Sequence, residues 1–315
     1  MDFRKEFKVK PSELKITYDD KLFFLGSCFA ENISTYFEDY KFQVSKNPFG
    51  IIYNPNAIER IIDIATEQTY NPQDNCFEHN GLWSNFDVHS SLSSPDKEQH
   101  VDNLIKARSN TKEALVCSRV VFISLGTAWL YKHIASQNYV ANCHKLPQKH
   151  FQKELLDLET TASVLKRTIE KILMLNREAK IVFTLSPVRH LRDGFIENQQ
   201  SKSTLHLAIQ QSLSLSNNIF YFPSYEILLD DLRDYRFYAS DFIHPNKLAL
   251  DYIWEKISTA FFDEKTAQNL ARVDKIKKRL SHRFFNSESK ESQSFKAKTQ
   301  IQIGELNKQY PNIKF

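Results

Sequence analysis

Short apolar runs alternate along the chain with longer segments of helical periodicity. The runs are too short for buried helices and are rich in β-branched or aromatic residues, which favours buried strands of a parallel sheet. They lie at 21–25, 41–44, 120–125, 180–185 and 219–222. The segments between them place apolar residues at i, i+3 and i+4, as in Ile33, Tyr36 and Phe37. This order predicts an α/β fold of three α/β/α layers around a central, mostly parallel five-stranded sheet.

Small polar residues follow these strands, where ligand chemistry is concentrated in open parallel sheets. Ser27 comes directly after the first strand and its Gly26, and it precedes a predicted helix. The free N–H groups of that helix can stabilise a nearby anion, so Ser27 occupies the position of a nucleophile. An isolated Gly-Ser before a helix is also typical of a simple N-cap.

A second group of polar residues lies more than two hundred residues downstream. Asp241 and His244 share one loop that ends at Pro245. The carboxylate can reach back to one imidazole nitrogen while the other nitrogen faces the site, as in the orienting acid and base of a serine triad. The alternative is a helix-capping Asp beside a surface His. Because Ser27 and this pair occur together, the triad of Ser27, Asp241 and His244 is favoured.

The chain resembles the GSCFA family, which is itself similar to the SGNH (GDSL-like) hydrolases. Six separated strings carry the resemblance: GSCFAENI at 26–33, NPFGI at 47–51, SLGTAW at 124–129, ANCHK at 141–145, SPVRHLRDGFIENQQSK at 186–202 and YFPSYEILLDDLRDYRFYASDFIHP at 221–245. It implies an SGNH, flavodoxin-like fold with Ser in the first block, Gly in the second, Asn in the third and Asp-x-x-His in the last. In the third block Gly126 is followed by Thr127-Ala128-Trp129, so the expected Asn is missing.

The resemblance implies a serine esterase or acylhydrolase that cleaves a small O-acyl group, such as acetyl, from a small-molecule or carbohydrate ester. It implies no cofactor. An acyl-Ser27 intermediate would form, and the backbone N–H groups of Ser27 and Gly50 would bind the oxyanion, with Thr127 as a third donor. We also expect Gly50→Val to cost activity more than stability. An O-acyltransferase with the same triad, or a non-catalytic glycan-binding module using Trp83 and Trp129, stays open as an alternative.

The neighbouring Cys28 is a rival nucleophile, because thiols are more nucleophilic and a helix N-terminus lowers a thiol pKa. The sequence favours Ser27 for two reasons. The residue directly after the Gly is expected to face the open edge of the sheet, while the next turns toward the core as a small hydrophobe. An Asp-oriented His also suits a hydroxyl that needs a full general base.

Three further residues are predicted to contact substrate. Arg189 and His190 follow the fourth strand, and Arg can bind a carboxylate or sulfate bidentately. Their alternative is structural, with Arg189 paired to a carboxylate such as Asp193. His89 lies in an aromatic and Ser-rich stretch that could overhang the site.

The polar and apolar pattern also divides the chain. Residues 1–262 form the predicted catalytic domain, with an insertion around 70–96 where Pro, Gly and Ser interrupt the alternation of strands and helices. Residues 263–315 are predicted to be a basic helix followed by a polar, flexible tail.

Composition limits the partners. Of the 315 residues, 42 are basic and 38 are acidic, which gives a net charge of +4. Marked clustering of basic residues is confined to 275–283, so nucleic-acid binding is not predicted. Cys28, Cys76, Cys117 and Cys143 show no disulfide or zinc spacing, and no metal is predicted. The chain shows no signal peptide and no run of about 18 apolar residues, so we expect a cytoplasmic protein without membrane contact. Its oligomeric state is left open.

Overall fold

The structure is a computed structural model that describes residues 5–315; residues 1–4 of the predicted catalytic domain lie outside the described residues. The strands are β1 (Lys21–Gly26), β2 (Gln43–Lys46), β3 (Cys76–His79), β4 (Leu82–Asn85), β5 (Val120–Leu125), β6 (Trp129–His133), β7 (Tyr139–Val140), β8 (Phe151–Leu155), β9 (Lys180–Leu185) and β10 (Ile219–Phe222). The helices are α1 (Cys28–Asp39), α2 (Pro55–Thr66), α3 (Lys97–Cys117), α4 (Leu158–Leu175), α5 (Phe195–Ser212), α6 (Ser224–Glu226), α7 (Lys247–Phe261), α8 (Glu264–Leu280) and α9 (Lys290–Gln309).

The central sheet has five strands in the order β10-β9-β5-β1-β2, and every neighbouring pair is parallel. This confirms the predicted fold. The chain runs from β1 to β2 on one side and later adds β5, β9 and β10 on the other. The strand order therefore reverses between β1 and β5, and the carboxyl ends of these two strands border the crevice where open α/β sheets bind ligands.

Helices cover both faces of the sheet because β1 and its neighbours are apolar on both faces. Phe23 and Leu25 pack into one core with residues of α2, α3, α4 and α5. Leu22 and Phe24 pack into the opposite core with residues of α1, α7 and α8. The predicted three-layer arrangement follows from this alternation along a central strand.

The predicted insertion contains an antiparallel β3–β4 hairpin. A second small sheet, in the order β7-β6-β8, forms between β5 and α4. The two are joined by a hydrogen bond from the Ala141 N–H to the Phe86 carbonyl, 2.8 Å long. His89 follows the β3–β4 hairpin in the chain and packs against Gly50, which lies in the loop between β2 and α2.

The C-terminal segment differs from the predicted flexible tail, since α9 forms and packs on α8 and on the core below α1. Leu306, Tyr310 and Ile313 are buried there, and Asn269 of α8 donates a 3.0 Å hydrogen bond to the Tyr310 hydroxyl. The polar run that suggested flexibility covers only the first half of α9, while the spacing of Ile303, Leu306 and Tyr310 provides its apolar contacts. Within residues 5–315, none of the helices combines the length and apolar character needed to cross a membrane.

Candidate active site

The turn between β1 and α1 is held closely against β5. Gly26 has φ +127°, and a Cβ at this position would lie 2.2 Å from the Ser124 carbonyl oxygen. Its N–H donates to Asn47 Oδ1 at 2.9 Å, and its carbonyl accepts the Ile52 N–H at 3.2 Å. The turn is thus fixed between β5 and the loop that follows β2, which places the start of α1 at the reversal point of the sheet.

Ser27 is the N-cap of α1, and its side chain is turned into the protein. Its Oγ lies 2.8 Å from Ser124 Oγ and accepts the Phe29 N–H at 3.2 Å. Its own N–H donates to the Ser124 carbonyl at 3.1 Å. Only 1% of Ser27 is exposed. The expectation that the residue after Gly26 faces the open edge is therefore wrong, because β5 supplies hydrogen-bond partners that draw it inward.

Cys28 is the first residue of α1 and keeps partial exposure. Burial raises the pKa of its thiol. Hydrogen bonds from the N–H groups of Cys28 and Phe29 and the charge of Lys202 act in the opposite direction, while Asp241 raises the pKa further. Lys202 and Asp241 of the predicted site thus act on the thiol, and Cys28 as a residue is more exposed than Ser27.

Asp241 and His244 form the hydrogen-bonded pair that the sequence suggested. Asp241 Oδ2 lies 2.7 Å from His244 Nδ1, and Oδ1 accepts the N–H groups of Ile243 and His244 at 2.9 and 3.0 Å. The backbone N–H groups of His244 and Ile243, followed by the imidazole, hold the pKa of Asp241 well below its usual range. The His244 side chain is 42% exposed, so its ring is open to solvent. The catalytic role of the pair stays a prediction.

Arg189 supports this loop. Its Nη2 donates to the Phe242 carbonyl at 2.5 Å, and its N–H donates to the Ile243 carbonyl at 3.3 Å. The guanidinium also lies over the Tyr238 ring, 4.2 Å from its centroid. Asp193, the alternative partner, pairs with Lys153 instead. The structure therefore gives Arg189 the position of a residue that holds the Asp–His loop, and substrate contact by Arg189 stays a prediction.

We expect Arg189→Gln to lower kcat/KM of the predicted ester hydrolysis about tenfold, because displacement of the predicted base His244 would slow proton transfer steeply. Arg192→Gln, at an exposed position of the same loop, is the matched control. Steady-state kinetics of both variants, with circular dichroism to verify folding, provide the measurement. Equal rates for the two variants would show that Arg189 does not position the pair.

His190 lies beside Gly126, and the charge of the buried Lys202 acts on it. The His190 ring stacks on Tyr53 with centroids 5.1 Å apart, and its Nε2 is buried without a hydrogen-bond partner among residues 5–315. Burial, with smaller effects of Lys202 and His244, lowers the pKa of His190 to about 3, so the ring is neutral near pH 7. As a substrate contact, His190 would therefore act as a polar group without charge.

Sequence reasoning missed Lys202, which is 1% exposed on α5. Its Nζ donates to the carbonyl of Ser186, the residue directly after β9, over 2.7 Å. Burial lowers the pKa of Lys202 to about 7, while Cys28 raises it. A signal was present in the sequence, because Lys202 shares the helical stripe of the buried Leu205 and Ile209, where an unpaired Lys is unusual.

Gly50 and His89 lie against each other. Gly50 has φ +80°, and a Cβ there would lie 2.4 Å from the His89 Cβ. The Gly50 N–H donates to the Asn47 carbonyl at 2.7 Å. His89 Nδ1 lies 3.0 Å from Ser91 Oγ and accepts the Ser91 N–H, so this nitrogen is occupied in capping a short turn. Any substrate contact by His89 would use its other ring nitrogen, Nε2, and this contact stays a prediction.

The predicted oxyanion donors are already bonded within the protein. The Ser27 and Gly50 N–H groups donate to the carbonyls of Ser124 and Asn47. Thr127 Oγ1 lies 3.0 Å from Ser201 Oγ and accepts the Trp129 N–H at 3.1 Å. This differs from the expectation that these donors are free to bind an oxyanion. The reason is general, because burying a polar group costs free energy unless the group is hydrogen-bonded.

We expect Gly50→Ala to destabilise the protein by about 1–3 kcal/mol, because a Cβ is disfavoured at positive φ and would also collide with His89. This reverses the expectation that a side chain at Gly50 costs activity more than stability. Urea unfolding followed by tryptophan fluorescence measures the loss. Gly81→Ala is the control, since it shares a positive φ of +74° but has no heavy atom within 4 Å of the added Cβ. Equal losses of unfolding free energy in the two variants would show that the collision with His89 does not contribute.

The remaining candidates are dispersed. Lys97 lies over the Trp83 ring. Lys153 lies over the Trp129 ring, whose Nε1–H donates to the Glu197 carbonyl, so the two tryptophans have separate partners. Within the described part of the chain, no three His, Cys, Asp or Glu side chains come together as a metal site.

The fold and site define an α/β protein with an Asp–His pair and a Ser-Cys turn near the carboxyl edge of a parallel sheet. The model of the GSCFA family matches residues 21–257, and the chain belongs to this family. A second model, described as the C-terminal domain of GSCFA domain proteins, matches residues 273–315. No curated protein matches the chain.

Two solved structures are similar at low identity. One is a Clostridium thermocellum family 3 carbohydrate esterase, 12% identical, with 80% of this chain and 97% of that chain covered and a TM-score of 0.35. The other is a carbohydrate esterase family 3 from Talaromyces cellulolyticus, 9% identical, with 80% and 98% covered and a TM-score of 0.37. Similarity at this level transfers neither substrate nor mechanism to this chain.

Proposed function

We propose that this protein is an ester hydrolase that transfers an acyl group from an O-acyl ester to water through a covalent acyl-enzyme. One observation carries the proposal: Asp241 is fixed by two backbone N–H groups and holds His244 through a 2.7 Å hydrogen bond in an exposed loop. This arrangement leaves the imidazole oriented and its second nitrogen available as a general base.

In the proposed reaction His244 accepts the proton of a nucleophile on the Ser27–Cys28 turn. The nucleophile attacks the acyl carbon, and the imidazolium returns the proton to the leaving alcohol. Water then attacks the acyl-enzyme with His244 again as base. The sequence places the acyl group on Ser27 Oγ; reaction there requires this oxygen to leave its hydrogen bonds to Ser124 and Phe29.

The proposed substrate is a small acyl ester, such as an acetyl ester, of a carbohydrate or another small alcohol. Phe242 and Tyr235 support this, since they are 56% and 60% exposed beside the Asp–His loop and their rings meet edge to face. Exposed aromatic rings can pack against the apolar faces of a sugar. The exposure of His244 gives water the access that hydrolysis of the acyl-enzyme needs.

The test is turnover of p-nitrophenyl acetate, with and without added sugar, by the wild type, His244→Ala and His150→Ala. His150 is an exposed histidine of another loop and serves as the control. We expect the wild type and the control to release acetate, with at least a hundredfold loss in His244→Ala. Undiminished turnover by His244→Ala would overturn the proposal, and formation of acetylated sugar in place of acetate would identify an acyltransferase.

A further inference from the structure

We propose that Cys28, assisted by the buried Lys202, is the nucleophile of this site, so that the acyl-enzyme is a thioester on Cys28 Sγ. The inference rests on the proposed function and deepens it. It assigns the reacting atom to the second residue of the turn, and Ser27 becomes the cap that holds the turn in place.

The position of Ser27 is the first argument. Its Oγ is in contact with Ser124 Oγ and with the Phe29 N–H, and its N–H is bonded to the Ser124 carbonyl. A reacting acyl carbon must come within about 3–3.5 Å of the nucleophile. With 1% exposure, Ser27 offers no open side for that approach.

The position of Cys28 is the second argument. It is the first residue of the twelve-residue helix α1, whose free N–H groups favour negative charge at this end. Burial raises the pKa of the Cys28 thiol, the N–H groups of Cys28 and Phe29 and the charge of Lys202 oppose that rise, and the residue keeps partial exposure. A helix N-terminus and a nearby cation are the surroundings that generate reactive thiolates in proteins.

The surroundings of Lys202 also favour Cys28 as the nucleophile. The Lys202 side chain is enclosed, and its Nζ donates a hydrogen bond to the Ser186 carbonyl. Within residues 5–315 no carboxylate forms an ion pair with Lys202, so its amine is buried without a counter-charge, and burial lowers its pKa to about 7. Cys28 is the acidic group whose charge acts on Lys202, and Lys202 acts on Cys28 in return. A Cys28 thiolate would supply the missing negative charge.

The proposed reaction uses only Cys28, His244, the ester and water. The Cys28 thiol gives its proton to His244, and the sulfur electron pair forms a bond to the acyl carbon. The ester C–O bond breaks as the alcohol takes the proton from the imidazolium. Water then loses a proton to His244 and attacks the thioester, and the leaving thiolate recovers that proton. Alcohol and carboxylic acid are the products, and no oxidant or metal takes part.

The nucleophile is tested with Cys28→Ala, Ser27→Gly and the exposed-cysteine control Cys117→Ala. Gly is chosen at Ser27 because it removes the hydroxyl but is well tolerated as an N-cap. Turnover of p-nitrophenyl acetate is measured together with iodoacetamide labelling, mapped by peptide mass. We expect Cys28→Ala to lose turnover at least a hundredfold and to lose the label at residue 28. Ser27→Gly should lose less than tenfold, and Cys117→Ala should keep its rate.

Lys202→Met gives an independent measurement. We expect alkylation of Cys28 in this variant to slow at least tenfold near pH 7 and to need a higher pH, because the thiolate has lost its cation. Turnover that survives in Cys28→Ala but is lost in a folded Ser27→Gly would overturn this inference and leave the ester hydrolase standing, with a serine nucleophile. If neither the wild type nor any variant hydrolyses the ester, the proposed function fails. Separately, an alkylation rate of Cys28 that Lys202→Met leaves unchanged would show that Lys202 does not activate the thiol.

Discussion

Asp241→Asn is expected to lower kcat for ester hydrolysis by about 10²- to 10⁴-fold while the protein stays folded. The carboxylate accepts a hydrogen bond from His244 Nδ1, which keeps the proton on that nitrogen and leaves the other nitrogen free to act as a base. An amide in its place can donate to Nδ1 and so stabilise the wrong tautomer. The effect is the same for a Ser27 or a Cys28 nucleophile, because the base serves either one.

The measurement is kcat for p-nitrophenyl acetate beside the thermal midpoint, with the exposed Asp230→Asn as control. The pKa of Asp241 is held well below its usual range, so this carboxylate stays ionised as the pH falls through the ordinary Asp range. Changes in rate between about pH 5 and 8 therefore do not report on Asp241. A folded Asp241→Asn variant with the turnover of Asp230→Asn would remove this residue from the mechanism.

The sheet was predictable because its strands are marked by local pattern. Val120–Leu125 and Lys180–Leu185 are apolar at nearly every position, and the structure has both strands with the predicted bounds. The second strand was predicted two residues too early. It is an edge strand with only partial burial, so its hydrophobic signal is weak. The helix α9 was missed because its first half is mostly polar and its buried Leu306 lies near its end.

The site was predictable only where it is local in sequence. Asp241 and His244 are three residues apart, so one turn suffices to bring them together. The orientation of Ser27 depends on Ser124, which is 97 residues away on a neighbouring strand. Lys202 likewise reaches its position only through the packing of α5 on the sheet. A sequence pattern can identify such residues as candidates, but the partner that turns a side chain inward or outward comes from the tertiary fold.

The largest loss of stability is expected for Gly26→Ala, at least about 4 kcal/mol of unfolding free energy. Gly26 has φ +127°, which disfavours any side chain, and an added Cβ would lie 2.2 Å from the Ser124 carbonyl oxygen and 2.9 Å from the Ser124 nitrogen. These are backbone atoms of the adjacent strand and cannot move aside without breaking the pairing of β1 with β5. The Asn47 and Ile52 hydrogen bonds hold Gly26 from the other side.

Urea unfolding of Gly26→Ala and of Gly304→Ala measures this effect. Gly304 lies within α9 with no heavy atom within 4 Å of an added Cβ, so its replacement should stabilise the protein by about 0.5–1 kcal/mol through helix propensity. We expect Gly26→Ala to unfold at a much lower urea concentration and to lose hydrolysis in step with the folded fraction. A loss below about 1 kcal/mol would mean that the turn between β1 and α1 can shift away from Ser124. In that case the inward position of Ser27, which depends on the same contact, would no longer argue against its hydroxyl as the nucleophile.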